Sequence, residues 1–278
     1  MKNIFDNVSY RISKIITGTY STSFSAGIFF LNKRLHQPLY SIYAFVRCAD
    51  EIVDSFHGYD KQKLLEEFRR ETFLSIERKI STNPVLNSFQ HTVHRYNIDH
   101  ALITTFLDSM EMDLQQHHYD RTKFDQYILG SAEVVGLMCL HVFTEGDKML
   151  YEKLKAPAMK LGAAFQKVNF LRDMQADYNV LGRMYFPQIN FNAFSEEDKR
   201  SIEAEIENDF AEAFEGIRRL PASSRLGVYI AYRYYRALLK KIKRLSAERV
   251  RVERIRVPNA NKLALMLQSY IEHQLKLV

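Results

Sequence analysis

The chain has no tryptophan, two cysteines, six prolines and ten glycines in 278 residues. So little proline and glycine leaves few tight turns, which disfavours a many-stranded β architecture and favours long helices. Cys48 and Cys139 both fall in apolar helical runs. Two such thiols exclude a disulfide framework and read as core residues in a reducing compartment, so the expected location is the cytoplasm. The opening stretch Met1-Lys-Asn-Ile-Phe-Asp-Asn has no apolar segment of the kind a secretory signal needs. The longest nearly uncharged apolar run, around residues 134–143, falls short of the roughly 20 residues that span a bilayer. Glycine-rich phosphate loops of the P-loop or dinucleotide type are missing. Period-two alternation does not persist over useful lengths, and neither a repeat nor a low-complexity linker occurs.

What the chain has is apolar bulk: 46% of residues are hydrophobic and 13% aromatic, all of the latter Phe or Tyr. This supports one all-α domain over residues 1–278 with a substantial core. The formal net charge of +6 is a mild excess. It suits anionic small molecules or an anionic membrane surface, and it is too weak to argue for nucleic acid.

Helix boundaries are read from the usual breakers and caps. Gly18 is expected to end a leading helix, Gln37-Pro38 to start the next long one, and Gly58 to close that region. Helices are expected over 61–79, 85–96, 99–115 and 122–143, then over 147–177 with an interruption near Pro157. His117 and His118, as sequence neighbours, diverge in direction and read as exposed polar residues. The small residues Gly130, Ser131, Ala132 and Gly136 admit two readings, close helix packing or room for a long apolar ligand beside Tyr127. Residues 179–187 form a loop carrying Arg183 and Tyr185. Ser195-Glu-Glu-Asp198 opens an acidic, exposed helix over 199–219. Another helix runs from Pro221 to about residue 244. Its Tyr229, Tyr232, Tyr234 and Tyr235 recur at helical spacing and read as core or pocket wall. Among Arg249, Arg251, Arg254 and Arg256, some form an anion-binding rim and others are solvated. A last helix covers 259–277.

The most informative stretch is Ala164-Phe-Gln-Lys-Val-Asn-Phe-Leu-Arg-Asp-Met-Gln-Ala-Asp177. At about 100° per residue, Gln166, Asn169, Asp173 and Asp177 fall along one stripe. Most of the remaining circumference is apolar, so the helix is expected to be buried. Two carboxylates there need a cation or a hydrogen-bond network. A second Asp-x-x-x-Asp stands far upstream, in Tyr43-Ala-Phe-Val-Arg-Cys-Ala-Asp-Glu-Ile-Val-Asp54. Tyr43, Arg47, Asp50 and Asp54 line one flank of that helix's apolar face. Two such helices facing across a cavity could hold Mg²⁺ between carboxylate oxygens and a bound diphosphate.

With these motifs the chain resembles the squalene and phytoene synthase family, the head-to-head prenyl transferases. The resemblance also rests on Tyr20-Ser-Thr-Ser-Phe-Ser, Tyr127-Ile-Leu-Gly-Ser-Ala-Glu-Val-Val-Gly136, Gly182-Arg-Met-Tyr-Phe-Pro187 and Glu253-Arg-Ile-Arg-Val-Pro258. It covers nearly the whole chain, and the first aspartate motif looks most like that of bacterial phytoene synthases. Two departures stand out: Ala176, where the family commonly has glutamate, and Tyr20, where some relatives have histidine.

The resemblance implies a class I terpenoid synthase bundle of helices around a central cavity, and Mg²⁺-dependent condensation of two geranylgeranyl diphosphates to phytoene. Mn²⁺ is a conceivable substitute, and no NADPH is expected. Asp50, Asp54, Asp173 and Asp177, with Asn169 as a neutral ligand, are the implied metal-binding and catalytic set. Arg47 and Arg254 would bind phosphate oxygens, and Phe24, Tyr43 and Tyr127 would face an allylic cation. Tyr20, Gln166, Arg172, Tyr185 and Tyr235 complete the implied substrate contacts. The implied partners are prenyl diphosphates, with peripheral membrane contact compatible with an apolar product and the oligomeric state open. The alternatives are a dehydrosqualene or squalene synthase acting on farnesyl diphosphate, and a non-catalytic scaffold on the same fold.

Overall fold

The computed structural model describes residues 1–115, 119–187, 189–256 and 258–275; among these the regular structure is helical, with no strand. The paired histidines His117 and His118 lie outside the described residues. Helix α1 (Lys2–Tyr20) is followed directly by α2 (Thr22–Phe29). Ser21 separates them because its hydroxyl accepts the Phe24 N–H and caps α2. Then come α3 (His36–Asp54), α4 (Lys61–Arg78), α5 (Pro84–Tyr96) and α6 (His100–Gln115). Helix α7 (Arg121–Ile128), a π turn (Leu129–Glu133) and α8 (Val134–Thr144) make one continuous rod. The chain continues through α9 (Lys148–Asn179), α10 (Glu196–Ile217), α11 (Ala222–Lys243), short α12 (Ala247–Val252) and α13 (Asn259–Gln274). Asp60, Asn83, Asp120 and Asp147 each cap the helix that follows, and Ser195 with Asp198 forms a capping box on α10. Such caps are worth about 1 kcal/mol apiece.

Two hydrophobic cores flank the middle of the molecule. One joins α2 to α6 with part of α8, and Phe45 lies at its centre, stacked on Phe89 at 3.9 Å and tilted against Phe106 at 5.5 Å. The other joins α7 and the long α9 to α10, α11 and α12 through Phe170, Leu171, Ile206, Phe210 and Leu238. The cavity described below opens between them.

Several expectations are corrected. Gly18 does not end α1, which runs on to Tyr20. Ser9, Ser13 and Thr17 are buried, and hydrogen bonds from Ser13 to Ser88 and from Asn87 to Ser9 and Asp6 tie α1 to α5. That anchorage outweighs the roughly 1 kcal/mol a helical glycine costs. Pro157 does not interrupt α9, which is 32 residues long. Its ring packs on Gly216 of α10, where a Cβ would stand 2.5 Å from the Pro157 Cβ. The long α9–α10 contact thus carries the helix past the missing N–H.

Helix α10 is not a solvated acidic face, since Lys199, Ile202, Glu203, Ile206, Asp209 and Phe210 are buried. Lys167 of α9 binds Asp209 at 2.6 Å and Glu205 at 2.5 Å. Charge counting along one helix does not see pairing across two. The rod Arg121–Thr144 is long and apolar enough to cross a bilayer by length and composition, yet most of that stretch is buried against its neighbours.

Gly130 sits where a Cβ would lie 2.5 Å from the Ser109 Cβ and 2.7 Å from the Thr105 carbonyl oxygen. Replacing Gly130 with Ala is therefore expected to destabilise the fold by about 1–3 kcal/mol. Urea unfolding followed by circular dichroism measures it; an unchanged midpoint would rule out this close contact.

Candidate active site

An apolar cavity of about 280 Å³ runs between the two cores. Phe24, Gly27 and Ile28 of α2 form one wall, and Ile42, Tyr43 and Val46 of α3 continue it. Phe165, Gln166 and Asn169 of α9 face it, with Ala231 and Tyr235 from α11. Ser131, Ala132 and Gly136 also line it. The small-residue run packs closely at Gly130, against α6, while the next positions line the cavity, though not beside Tyr127, which is absent from its wall. Gly136 does both, since a Cβ there would meet the Ala158 carbonyl oxygen at 2.9 Å. Close helix approach and a channel between the helices come from the same residues.

The polar end follows from helix periodicity. Asp50 lies one turn beyond Val46 on α3, and Asp173 one turn beyond Asn169 on α9, so both pairs sit past the same end of the cavity. Arg183, in the loop after α9, connects them. Its guanidinium donates to Asp54 at 2.7 Å and to the Val53 carbonyl at 3.4 Å, while its backbone N–H donates to the Asp177 carbonyl at 2.9 Å. The same guanidinium stands 3.7 Å from Asp113 of α6.

Asp113 is buried and accepts from Tyr127 at 2.6 Å, Tyr185 at 3.1 Å and Tyr119 at 3.2 Å. Burial lifts its pKa to about 6, with Arg183 and the Tyr127 hydroxyl pulling the other way. Sequence reading missed Asp113 altogether and left Arg183 without a role. The signal for Asp113 was an acid placed three residues after Met110 and seven after Phe106, on the apolar face of α6.

The carboxylates of Asp50, Glu51, Asp54, Asp113, Asp173 and Asp177 outnumber the guanidiniums of Arg47, Arg172, Arg183 and Arg254. Burial, then the neighbouring Asp54, pushes Asp50 up to about 8, although 31% of its side-chain surface stays exposed. Burial, then Asp173 and Asp54, pushes Asp177 up to about 8. Asp177 thus feels the charge of Asp54 in the other pair. Burial opposes the charge on Arg183, but Asp113, Tyr185 and Asp54 outweigh it and hold the guanidinium firmly protonated.

The other expected site residues divide into three groups. Phe24 and Tyr43 stack at 4.8 Å on the cavity wall. Gln166, Asn169 and Tyr235 also face the cavity, where the Tyr235 hydroxyl donates to Asn169 Oδ1 at 3.3 Å and Asn169 Nδ2 donates to Gln166 at 3.4 Å. Arg172 and Arg254 both bind Asp173, the latter at 2.7 Å. Arg47 pairs with Glu51 and lies 4.5 Å over the ring of half-exposed Tyr20. Its Nε is buried with no hydrogen-bond partner. Tyr127 and Tyr185 are not on the cavity wall. They bind Asp113 behind it, because their hydroxyls follow the one buried carboxylate within reach.

No three described His, Cys, Asp or Glu side chains converge as a ready metal cluster. The donor set nevertheless fits a hard cation. It is all oxygen, four carboxyl groups with the Asn169 amide, and the Asp177 carboxyl takes no hydrogen bond among the described residues. Mg²⁺ is commonly held by one or two carboxylates together with substrate phosphates. The unpartnered Arg47 Nε fits an incoming anion in the same place.

An all-helical bundle with two carboxylate pairs at one end of an apolar cavity is the class I terpenoid synthase fold. The solved structures agree: a ligand-bound dehydrosqualene synthase superposes with a TM-score of 0.82 at 23% identity, over 97% of this chain and 98% of the other. A squalene synthase, HpnC from Alicyclobacillus acidocaldarius, superposes with a TM-score of 0.75 at 21% identity, over 87% and 95%. The squalene/phytoene synthase family model matches residues 17–261, and the chain belongs to that family. Its members are prenyltransferases acting on prenyl diphosphates, and they generally use divalent metal ions.

Among curated relatives, a phytoene synthase from Arthrospira platensis is 26% identical over 264 residues, covering 85% of this chain and 84% of its own. A 15-cis-phytoene synthase from Synechococcus elongatus is 25% identical, covering 92% and 90%. A 4,4'-diapophytoene synthase from Staphylococcus haemolyticus is 28% identical, covering 72% and 68%.

Arg183→Met leaves Asp113 buried without its cation and is expected to destabilise the protein by about 3–5 kcal/mol. Arg183→Lys should recover only part of this, because a single ammonium cannot span Asp54, Val53 and Asp113 together. Chemical denaturation of both variants tests the pinning role; a Met variant as stable as wild type would contradict it.

The raised pKa of Asp113 means that the folded state holds its proton more tightly than the unfolded chain. The stability this group confers is therefore greatest below about pH 4 and is lost as pH rises through about 6. The advantage in Tm of wild type over Asp113→Asn should shrink across that window. A constant difference would show that the carboxyl does not titrate there.

Proposed function

We propose that this chain is a phytoene synthase, joining two geranylgeranyl diphosphates head to head through a cyclopropylcarbinyl diphosphate. The observation that carries the reading is the joint location of the two aspartate pairs, linked by Arg183, past the end of an apolar cavity. The form of the first aspartate motif and the phytoene synthases among the relatives favour the C20 substrate.

Diphosphate leaves a carbon only when its charge is neutralised. Asp50, Asp54, Asp173 and Asp177 would hold Mg²⁺, which when bound neutralises and orients the diphosphate as a Lewis acid. Arg47 offers its unpartnered Nε to a phosphate oxygen, and Arg254, now on Asp173, lies close enough to turn to the same anion. The prenyl chains lie in the apolar cavity, where Phe24 and Tyr43 present ring faces to an allylic cation and water is excluded. Each diphosphate departs with its bonding electron pair. A proton is lost on closing the cyclopropane and another on forming phytoene, so no reductant is consumed. We place this reaction in the cytoplasm, in keeping with the free thiols of Cys48 and Cys139.

Purified protein given geranylgeranyl diphosphate and Mg²⁺ without NADPH is expected to release phytoene, read by chromatography of the extracted product. Consumption of farnesyl diphosphate alone would instead make the chain a dehydrosqualene synthase, the activity named for the ligand-bound structure it superposes on. Asp50→Ala and Asp173→Ala should each lower turnover at least about 100-fold while keeping the helical spectrum. Near wild-type turnover of either variant at saturating Mg²⁺ would refute the ligand assignment.

A further inference from the structure

Away from the cavity, the outer side of α11 forms a groove with α13. Arg233, Arg236, Lys240 and Lys243 line it from α11 and Arg244 from just past its end, with Leu265 and Gln268 from α13 and Glu207 from α10. Glu207 binds Arg236 at 2.6 Å and Lys243 at 3.2 Å, and Glu272 binds Arg233. Lys240 and Arg244 have no acidic partner among the described residues. Five cations therefore meet two carboxylates, and the groove is electropositive.

Helix α13 packs on α11 and buries Ser269, but its outward face is mostly apolar, with Gln268 and Gln274 among the exposed side chains. Leu267, Tyr270, Ile271 and Leu275 are 61%, 43%, 49% and 65% exposed. At about 100° per residue Leu267, Tyr270 and Ile271 share one side of α13, and Leu275 just past its end continues that side; Gln274 stands among them, and Gln268 and Glu272 lie between that side and the groove. The result is a convex apolar stripe running alongside a row of unneutralised cations.

We propose that this α11–α13 face docks the protein on an anionic lipid bilayer, with the stripe entering the interface and the groove cations meeting lipid phosphates. A helix with one apolar side and cations beside it is the arrangement that lies in the plane of such a surface. Charge complementarity selects the bilayer as occupant, because a second copy of this chain would bring another cationic groove against the first. Binding also brings the enzyme to where long prenyl chains dissolve; this advantage rests on the proposed function, whereas the binding does not.

The test is flotation of the full chain with vesicles of phosphatidylcholine alone or mixed with phosphatidylglycerol, in the absence of substrate. Wild type is expected to float with the mixed vesicles and to be released by salt. Lys240→Glu combined with Arg244→Glu should weaken this binding more than tenfold, since each basic residue near such a surface contributes about fivefold. Leu267→Ser combined with Ile271→Ser should weaken it at low salt, where the groove cations are intact and unscreened.

All variants should retain the helical spectrum and wild-type turnover on detergent-dispersed substrate, which separates failure of docking from failure of the catalytic reading. Equal binding to neutral and anionic vesicles, no binding at all, or unchanged binding by both double variants would overturn the proposal. So would a wild-type dimer that Leu267→Ser with Ile271→Ser converts to monomer, which would make the stripe an interface between copies.

Discussion

Arg183 binds the end of α3 with its side chain and the end of α9 with its backbone N–H, while Asp113 and its three tyrosines hold the guanidinium from behind. Helices α3 and α9 are separated by the cavity, so little direct packing sets their spacing. A rigid planar cation with several donors does so instead, and its burial makes the arrangement intolerant of a missing partner. The two aspartate pairs face a common volume because this one residue reaches both helices.

That arrangement crowds carboxyl groups together at the polar end of the cavity. Asp50 is forced toward neutrality by burial and then by Asp54, and Asp177 by burial and then by Asp173 and Asp54. Asp173, by contrast, is held by Arg172 and Arg254. The clustered carboxyl groups thus suit cations, and the arginines around them suit an anion. A diphosphate arriving with divalent metal satisfies both demands together, with the apolar cavity receiving the attached hydrocarbon.

The helical class, most helix boundaries and both aspartate motifs were legible along the chain, because caps, breakers and 3.6-residue periodicity are local signals. The resemblance named the family that the comparison of residues 17–261 bears out. Local signals failed where two helices act on each other. Gly18 and Pro157 read as stops, yet packing of α1 on α5 and of α9 on α10 carries the helices through them. The charged sequence of α10 read as solvated, yet Lys167 draws Asp209 and Glu205 against α9.

By itself the sequence determined which residues lie together along each helix: carboxylates one turn apart, a polar stripe on a mostly apolar helix and aromatic residues among apolar neighbours. These follow from spacing, and spacing is covalent. Only the tertiary structure decided how they are shared out. It put Tyr127 and Tyr185 on Asp113 instead of on the cavity wall, gave Arg183 its bridging place, and turned the apolar side of α13 outward beside the cations of α11. Those assignments depend on distances between segments far apart in the chain, and no local pattern encodes them.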